Sequence, residues 1–253
     1  MLLPELVVYL SKLLMLDEFK NDDASQNGLQ VDRCNKEIKK IAFAVDACLA
    51  SFQRAIDVEA DIIIVHHGLF WGMPQQLSGD LYKRIRYLVE KDLALFAAHL
   101  PLDSHPELGN NASMANQLSL TNIEPFGLYH GRKIGFKGVF SEPKSLDFVI
   151  DKLGINSELC PSIFTFGNKS IHSVGLVSGG ASSDVLQALE EDLDLFITGE
   201  ASHEVYHYCL EGKINFIAAG HYFTETFGVR SLSKYINQEL GLETVFVDVP
   251  TGL

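Results

Sequence analysis

The 253-residue sequence has no CxxC pair, and its four cysteines, Cys34, Cys48, Cys160 and Cys209, follow no staple pattern. That excludes a thiolate zinc site or a dithiol redox motif, and it suits a reducing compartment. Basic side chains are scarce: 20 Lys and Arg stand against 33 Asp and Glu, a formal charge of −13. Without a long Lys/Arg run, loose binding to a phosphate backbone is unfavourable, so nucleic acid is not an expected partner. No stretch approaches the roughly 18 unbroken apolar residues of a membrane span. The opening MLLPELVVYLSKLLMLDEFKNDD is apolar but lacks a basic n-region and a small-residue cleavage site, and Glu5, Lys12, Asp17 and Glu18 interrupt it. A cytoplasmic address is the expectation left by elimination.

What is present in quantity is apolar residue, 47% of the chain, enough for one large domain or two small ones. The most informative feature is internal. The segment IAFAVDACLASFQRAIDVEADIIIVHHG (41–68) aligns without a gap on VGLVSGGASSDVLQALEEDLDLFITGEA (174–201). Ile41 falls over Val174, Asp61 over Asp194 and Ile64 over Ile197, a constant offset of 133 residues. Each copy reads as strand, turn, amphipathic helix, acidic turn and buried strand. A helix follows in each (81–91 and 203–212), then a third strand, LALFAAH (93–99) or INFIAAGH (214–221). The runs FAVD, DIIIVH and ALFAAH are continuously apolar, as strands covered on both faces must be. Strands alternating with helices of about ten residues imply parallel βαβ units.

The fold expected is therefore α/β, two similar α/β/α lobes produced by an internal duplication, with mainly parallel sheets. Residues 1–126 form the first lobe, completed by a helix and strand in 222–253, and residues 127–221 form the second.

Ligands of parallel α/β sheets gather beyond the carboxyl ends of the strands. Asp46 follows the first buried strand, His66 and His67 the second, and His99, Asp103 and His105 the third. In the second copy, Glu200 and His203 follow FIT, and His221 and Glu225 follow FIAAG. His221 and Glu225 are four apart at a helix start, so they share a face. His66 and His67 serve one site only if the chain turns there, and Gly68 is placed to allow it. Plainer readings stand beside these. His99 alone reads as a hydrogen-bonded core histidine, Glu225 as a first-turn acid, and Asp103 as a turn residue. His105, His130 and His172 read as loop residues and His207 as a solvated helix residue. The Gly-rich turn VSGGASSD (177–184) could hold an anion before a helix, or be a tight turn capped by Ser182 or Ser183.

The runs SQNGLQV (25–31), VHHGLFW (65–71), HLPLDSHPELGNN (99–111), ITGEASH (197–203) and AAGHYFTE (218–225) carry a further signal. In this order they resemble the NGG1-interacting-factor-three-like family, also called GTP cyclohydrolase I type 2 homologs. The resemblance spans essentially the whole chain. It is to the short form, without the domain that longer members insert near Tyr129–Gly138. The resemblance implies a two-metal centre between the lobes. Its ligands would be His66, His67, Asp103, His221 and Glu225, with Glu225 bridging, His67 and Asp103 on one ion, and His66 and His221 on the other. It also implies a homohexameric ring.

Three imidazoles, two carboxylates and no thiolate suit Zn, Mn, Fe or Ni. Five side chains for two divalent ions leave positions open for water or substrate. The function expected is a two-metal hydrolase using a metal-bound hydroxide on a nucleotide or purine ring, with Glu200, His203 or His99 as proton shuttle. Asp46 would orient an imidazole. The alternative is a non-catalytic, metal-stabilised oligomeric scaffold that binds a macromolecular partner.

Overall fold

The computed structural model describes residues 1–155 and 162–253. Cys160 lies outside them, and Cys34, Cys48 and Cys209 are free thiols. The chain divides into two compact units. The first comprises Met1–Leu108 with Val229–Val249, and the second Gly109–Gly228 with Pro250–Leu253.

In the first unit β1 (Gly28–Val31), β2 (Lys40–Asp46), β3 (Ile62–His67), β4 (Ala94–Ala97) and β11 (Glu243–Phe246) form one sheet in the order β1-β4-β3-β2-β11. β2, β3, β4 and β11 run parallel, and only β1 is antiparallel, against β4. Parallel neighbours need crossovers, supplied by α2 (Leu49–Asp57) and α3 (Gly79–Glu90). Ile41 to Val45 and Ile62 to Val65 are all buried, which is why these strands are apolar without alternation. One sheet face packs Ala42, Ala44, Ile63, Val65 and Leu95 against Phe52 of α2 and Leu88 of α3. Leu3, Leu6 and Leu10 of α1 (Leu3–Leu13) are buried at helical spacing, as are Val229, Leu232 and Ile236 of α9 (His221–Leu240). A contact of 3.4 Å between the Tyr9 and Tyr235 hydroxyls links these two helices.

The second unit holds β5 (Thr121–Tyr129), β6 (Arg132–Lys144), β7 (Ser162–Thr165), β8 (Ile171–Leu176), β9 (Leu195–Thr198) and β10 (Asn215–Ala218), in the order β5-β6-β8-β9-β10-β7. Here the expectation of a mainly parallel sheet fails. Only β8-β9 and β9-β10 are parallel, with α7 (Val185–Glu190) and α8 (Val205–Gly212) as their crossovers, and the other three pairings are antiparallel. One of the three is the hairpin β5–β6, closed by His130 (φ 47°) and Gly131 (φ 85°) between the paired Tyr129 and Arg132. Positive φ at both central residues matches the twist of antiparallel strands. β5 is mostly exposed, so it carries little of the apolar signal that marks a buried strand.

The observed division also differs from the expected limits at 126/127 and 221/222. Met114, Ala115 and Leu118, from α5 (Asn110–Gln117) and just beyond it, pack in the second core with Phe140, Val174, Ile197 and Val149 of α6 (Leu146–Leu153). α5 and β5 therefore belong with the second unit. At the other limit, Phe223 and Phe227 pack on that same core while Val229 onward counts with the first. The helix α9 is thus shared along its length.

The two sheets repeat one pattern at the offsets read from the sequence. Ile41 pairs with Ile62 as Val174 pairs with Leu195. Asp61 Oδ2 accepts the Lys39 and Lys40 amides at 2.8 and 3.0 Å, and Asp194 Oδ2 accepts the His172 and Ser173 amides at 2.9 and 3.0 Å. Glu59 and Asp192, also 133 apart, both adopt positive φ. Among the described residues, no helix is long and apolar enough to cross a membrane.

Candidate metal centre

In the first unit the parallel strands β2, β3 and β4 end at Asp46, His67 and Ala97, and their carboxyl ends collect the polar side chains. His66 and His67 diverge along the sheet yet their ring centroids remain 4.6 Å apart. His66, fully buried, places Nδ1 3.1 Å from the Ala98 carbonyl just beyond β4. His67 places Nδ1 2.9 Å from Oδ1 of Asp46, its register partner on β2. Each imidazole is thus tied by a neighbouring strand. Gly68 acts by close approach rather than by a left-handed turn. A Cβ there would lie 2.6 Å from the Ala97 Cβ and 2.3 Å from the Gln30 side chain.

His99 joins the pair, 5.0 Å from the His66 ring and 5.7 Å from the His67 ring. One nitrogen from each of His66, His67 and His99 lies within 4.8 Å of the others. Asp103 closes α4 (Leu100–Asp103), is 6% exposed, and brings Oδ2 to 3.5 Å from His66 Nε2.

His99 is held by Asp23, which no sequence motif marks, and by Asn27, which lies within SQNGLQV. Asp23 Oδ1 meets His99 Nδ1 at 2.9 Å and the Ser25 amide at 2.8 Å. Its Oδ2 accepts from Asn27 Nδ2 at 2.8 Å and from the Leu100 amide at 3.0 Å. Asn27 Oδ1 accepts the His99 amide at 2.7 Å. Burial alone would raise the Asp23 carboxyl, but the hydrogen bond and charge of His99, with the Asn27 and Ser25 donors, outweigh it and hold it below the usual range. The only sequence signal for Asp23 is an acid two residues ahead of SQNGLQV, which nothing local distinguishes from an ordinary turn acid.

In the second unit His221 and Glu225 open α9 and share a face, with His221 Nε2 3.0 Å from Glu225 Oε1. Glu225 is 3% exposed, too buried for the plain role of a solvated first-turn acid. Glu200, beyond β9, places Oε1 2.5 Å from His221 Nδ1. Gly179 backs the pair at φ +69°, where an added Cβ would lie 2.4 Å from Glu225 Oε1 and 3.3 Å from His221 Nε2. The Gly-rich turn is therefore a cradle for these two side chains. Neither serine caps a helix as expected. Ser182 Oγ instead donates to the Glu200 carbonyl at 2.8 Å and accepts the Ser202 amide at 3.1 Å.

His203 is exposed in the turn before α8, and Ser202 carries the tie between that loop and Ser182. His105 is not a loop filler. It is buried, with Nδ1 accepting the Glu107 and Leu108 amides at 3.2 and 3.1 Å and Nε2 donating to the Leu13 carbonyl at 3.2 Å. His130, His172 and His207 are exposed.

One arrangement recurs. His66, His67, His99 and His221 each have Nδ1 against a carbonyl or carboxylate. An acceptor at Nδ1 fixes the tautomer with the proton there and leaves Nε2 as the basic nitrogen. A family model for Duf34/NIF3 (NGG1p interacting factor 3) matches residues 1–252. The chain belongs to the DUF34/NIF3 family. Relatives in this family include the GTP cyclohydrolase 1 type 2 homolog of Deinococcus radiodurans, 42% identical, covering 98% of this chain and 94% of that protein. The protein of the same name from Archaeoglobus fulgidus is also 42% identical and covers 99% of each. Among solved structures, TTHA1606 from Thermus thermophilus is similar over 100% of both chains, with a TM-score of 0.89 and 39% identity. The fold of this family member is accordingly the mixed α/β fold of its relatives, with two sheets.

Proposed function

We propose that this DUF34/NIF3 protein is a hydrolase-like enzyme dependent on two divalent cations and acting on a nucleotide or purine ring. The residues that would hold the cations are His66, His67 and Asp103 in the first unit and His221 and Glu225 in the second. The observation that carries the reading is the set of imidazole nitrogens within 4.8 Å of one another in the first unit. Each of those rings is anchored at Nδ1 by a neighbouring acceptor. With Nδ1 anchored in each ring, Nε2 is left as the basic nitrogen, and Asp103 Oδ2 lies 3.5 Å from that of His66, so imidazole and carboxylate donors converge as a cation requires. The donors are nitrogen and carboxylate oxygen, a set that fits Zn, Mn, Fe or Ni. The name shared by the relatives supports the choice of a nucleotide.

Divalent cations held by these residues would supply Lewis-acid chemistry, lowering the pKa of a water and polarising a carbonyl or phosphoryl group. The chain's own residues do the rest. Asp46 holds His67 in the Nδ1-protonated form, and Glu200 does the same for His221. The Asp23–His99 pair is a proton carrier beside the first unit's rings, and half-exposed Glu200 exchanges protons with solvent. His203, exposed nearby in sequence, has the weakest case of the three candidates. The reading includes a homo-oligomeric, hexameric protein of the cytoplasm. It also includes lobes descended from an internal duplication, supported by the matched registers and the paired Asp61 and Asp194 turns.

Metal removal is the test. Chelated protein should keep its circular dichroism spectrum and lose hydrolysis across a panel of nucleotides, cyclic nucleotides, phosphodiesters and cyclic amides, and should regain it when metal is restored. Chelation that unfolds the chain would make the cations structural and the scaffold reading correct.

A further inference from the structure

A metal centre of this kind needs something beside it to hold a substrate, and in the first unit an aromatic ring stands there. Trp71 is the only tryptophan in the chain. Its indole lies 4.9 Å from the His99 ring, edge to face, and 6.0 Å from the His67 ring. The indole Nε1 donates to the Gly68 carbonyl at 2.9 Å, which fixes the ring's rotation. The backbone on either side is pinned as well. The Gln26 amide donates to the Phe70 carbonyl at 3.0 Å, the Gly72 amide donates to the Ala24 carbonyl at 2.7 Å, and Ser25 bridges to Trp71. The same Ala24–Gln26 stretch follows Asp23, which orients His99. Indole and imidazole are therefore set by one short segment.

Trp71 is only partly buried despite this anchoring, and Met73, two residues on, is 83% exposed. A large ring held rigid, left partly open to solvent and placed against two candidate metal-site histidines gains little by packing alone. A rigid aromatic ring stacks on a flat π-system at low entropic cost. We propose that Trp71 is the stacking platform for the substrate, and that the substrate class is a planar heterocycle of nucleobase size. The proposal rests on the metal-centre reading for its chemistry, and it adds the residue that selects the ring.

Wild-type protein, Trp71→Leu and Trp71→Phe would be loaded with Mn, checked for metal content and circular dichroism, and titrated calorimetrically with guanosine, cytidine and ribose. The nucleosides should bind and ribose should not. Trp71→Leu should weaken nucleoside binding about tenfold, the scale of one base stacked on an aromatic ring. Trp71→Phe should recover most of that loss, and metal content should be equal in all three. Quenching of the single tryptophan in the wild type should follow the calorimetric isotherm. Equal nucleoside affinity in wild type and Trp71→Leu would overturn the proposal, as would wild-type protein that prefers neither nucleoside to ribose. Should Trp71→Leu not fold, full-strength binding that leaves wild-type tryptophan emission unchanged has the same force. Protein that holds no metal would sink the metal-centre reading instead, and the stacking role would still be decided by the same titrations.

Discussion

Replacing Asp23 with alanine removes one carboxylate and four hydrogen bonds, to His99 Nδ1, the Leu100 amide, the Ser25 amide and Asn27 Nδ2. Its side chain is 1% exposed, so water does not readily take its place. At about 1 kcal/mol net for each bond, the expected destabilisation is roughly 3–4 kcal/mol. That is a large fraction of the ~5–15 kcal/mol that holds a typical domain together, yet compatible with folding. The loss should depend on pH with a definite sign. The native carboxyl is held below its usual range, so its stabilisation is present above the unfolded pKa and fades as the pH falls through the native one. Urea unfolding of wild type and Asp23→Ala at pH 7 and at successively lower pH reads both quantities. Freed His99 should also shift the emission of Trp71, which packs against it. A loss below about 1 kcal/mol, or unchanged emission, would refute the account of Asp23 as the anchor of this ring.

Asp61→Ala and Asp194→Ala should each cost about 3 kcal/mol in urea unfolding, because each removes the acceptor of two adjacent backbone amides and of one side chain, Arg33 for Asp61 and the Ser173 hydroxyl for Asp194. Strongly unequal losses would count against the structural equivalence of the two turns. Burial pushes the Asp184 carboxyl up to about 6, against a lowering hydrogen bond from Gln187. Ionising it in the fold therefore costs stability progressively between pH 4 and 6. Asp184→Asn should be about 1–2 kcal/mol more stable than wild type at pH 7, after discounting for partial exposure, and should match it below pH 4, as read from urea midpoints at both values. Glu225→Ala should empty both metal positions while His105→Ala leaves them filled, because His105 bonds to backbone groups. Equal metal content in the two variants would contradict the ligand assignment.

Much of each lobe was legible because its signals are local. FAVD and DIIIVH became β2 and β3, buried on both faces, and the offset of Ile41 to Val174 reappears as the same strand register in both sheets. The hairpin β5–β6 was not legible. Its first strand is mostly exposed, and its turn at His130-Gly131 sits in a stretch without a strong apolar pattern. Nor was the assignment of α5, since Met114 and Leu118 could have met either core.

At the candidate site, residue type and order in the chain named the histidines and carboxylates, because parallel strands deliver whatever follows them to one end of the sheet. Sequence alone fixed that chemistry: imidazole and carboxylate, no thiolate, and His221 four positions ahead of Glu225. Tertiary structure alone decided which nitrogen each ring keeps. Asp46, Ala98, Asp23 and Glu200 stand 21, 32, 76 and 21 residues from the imidazoles they anchor. A hydrogen bond reaches about 3 Å whatever the separation along the chain, so only the packed sheets could bring those partners within range.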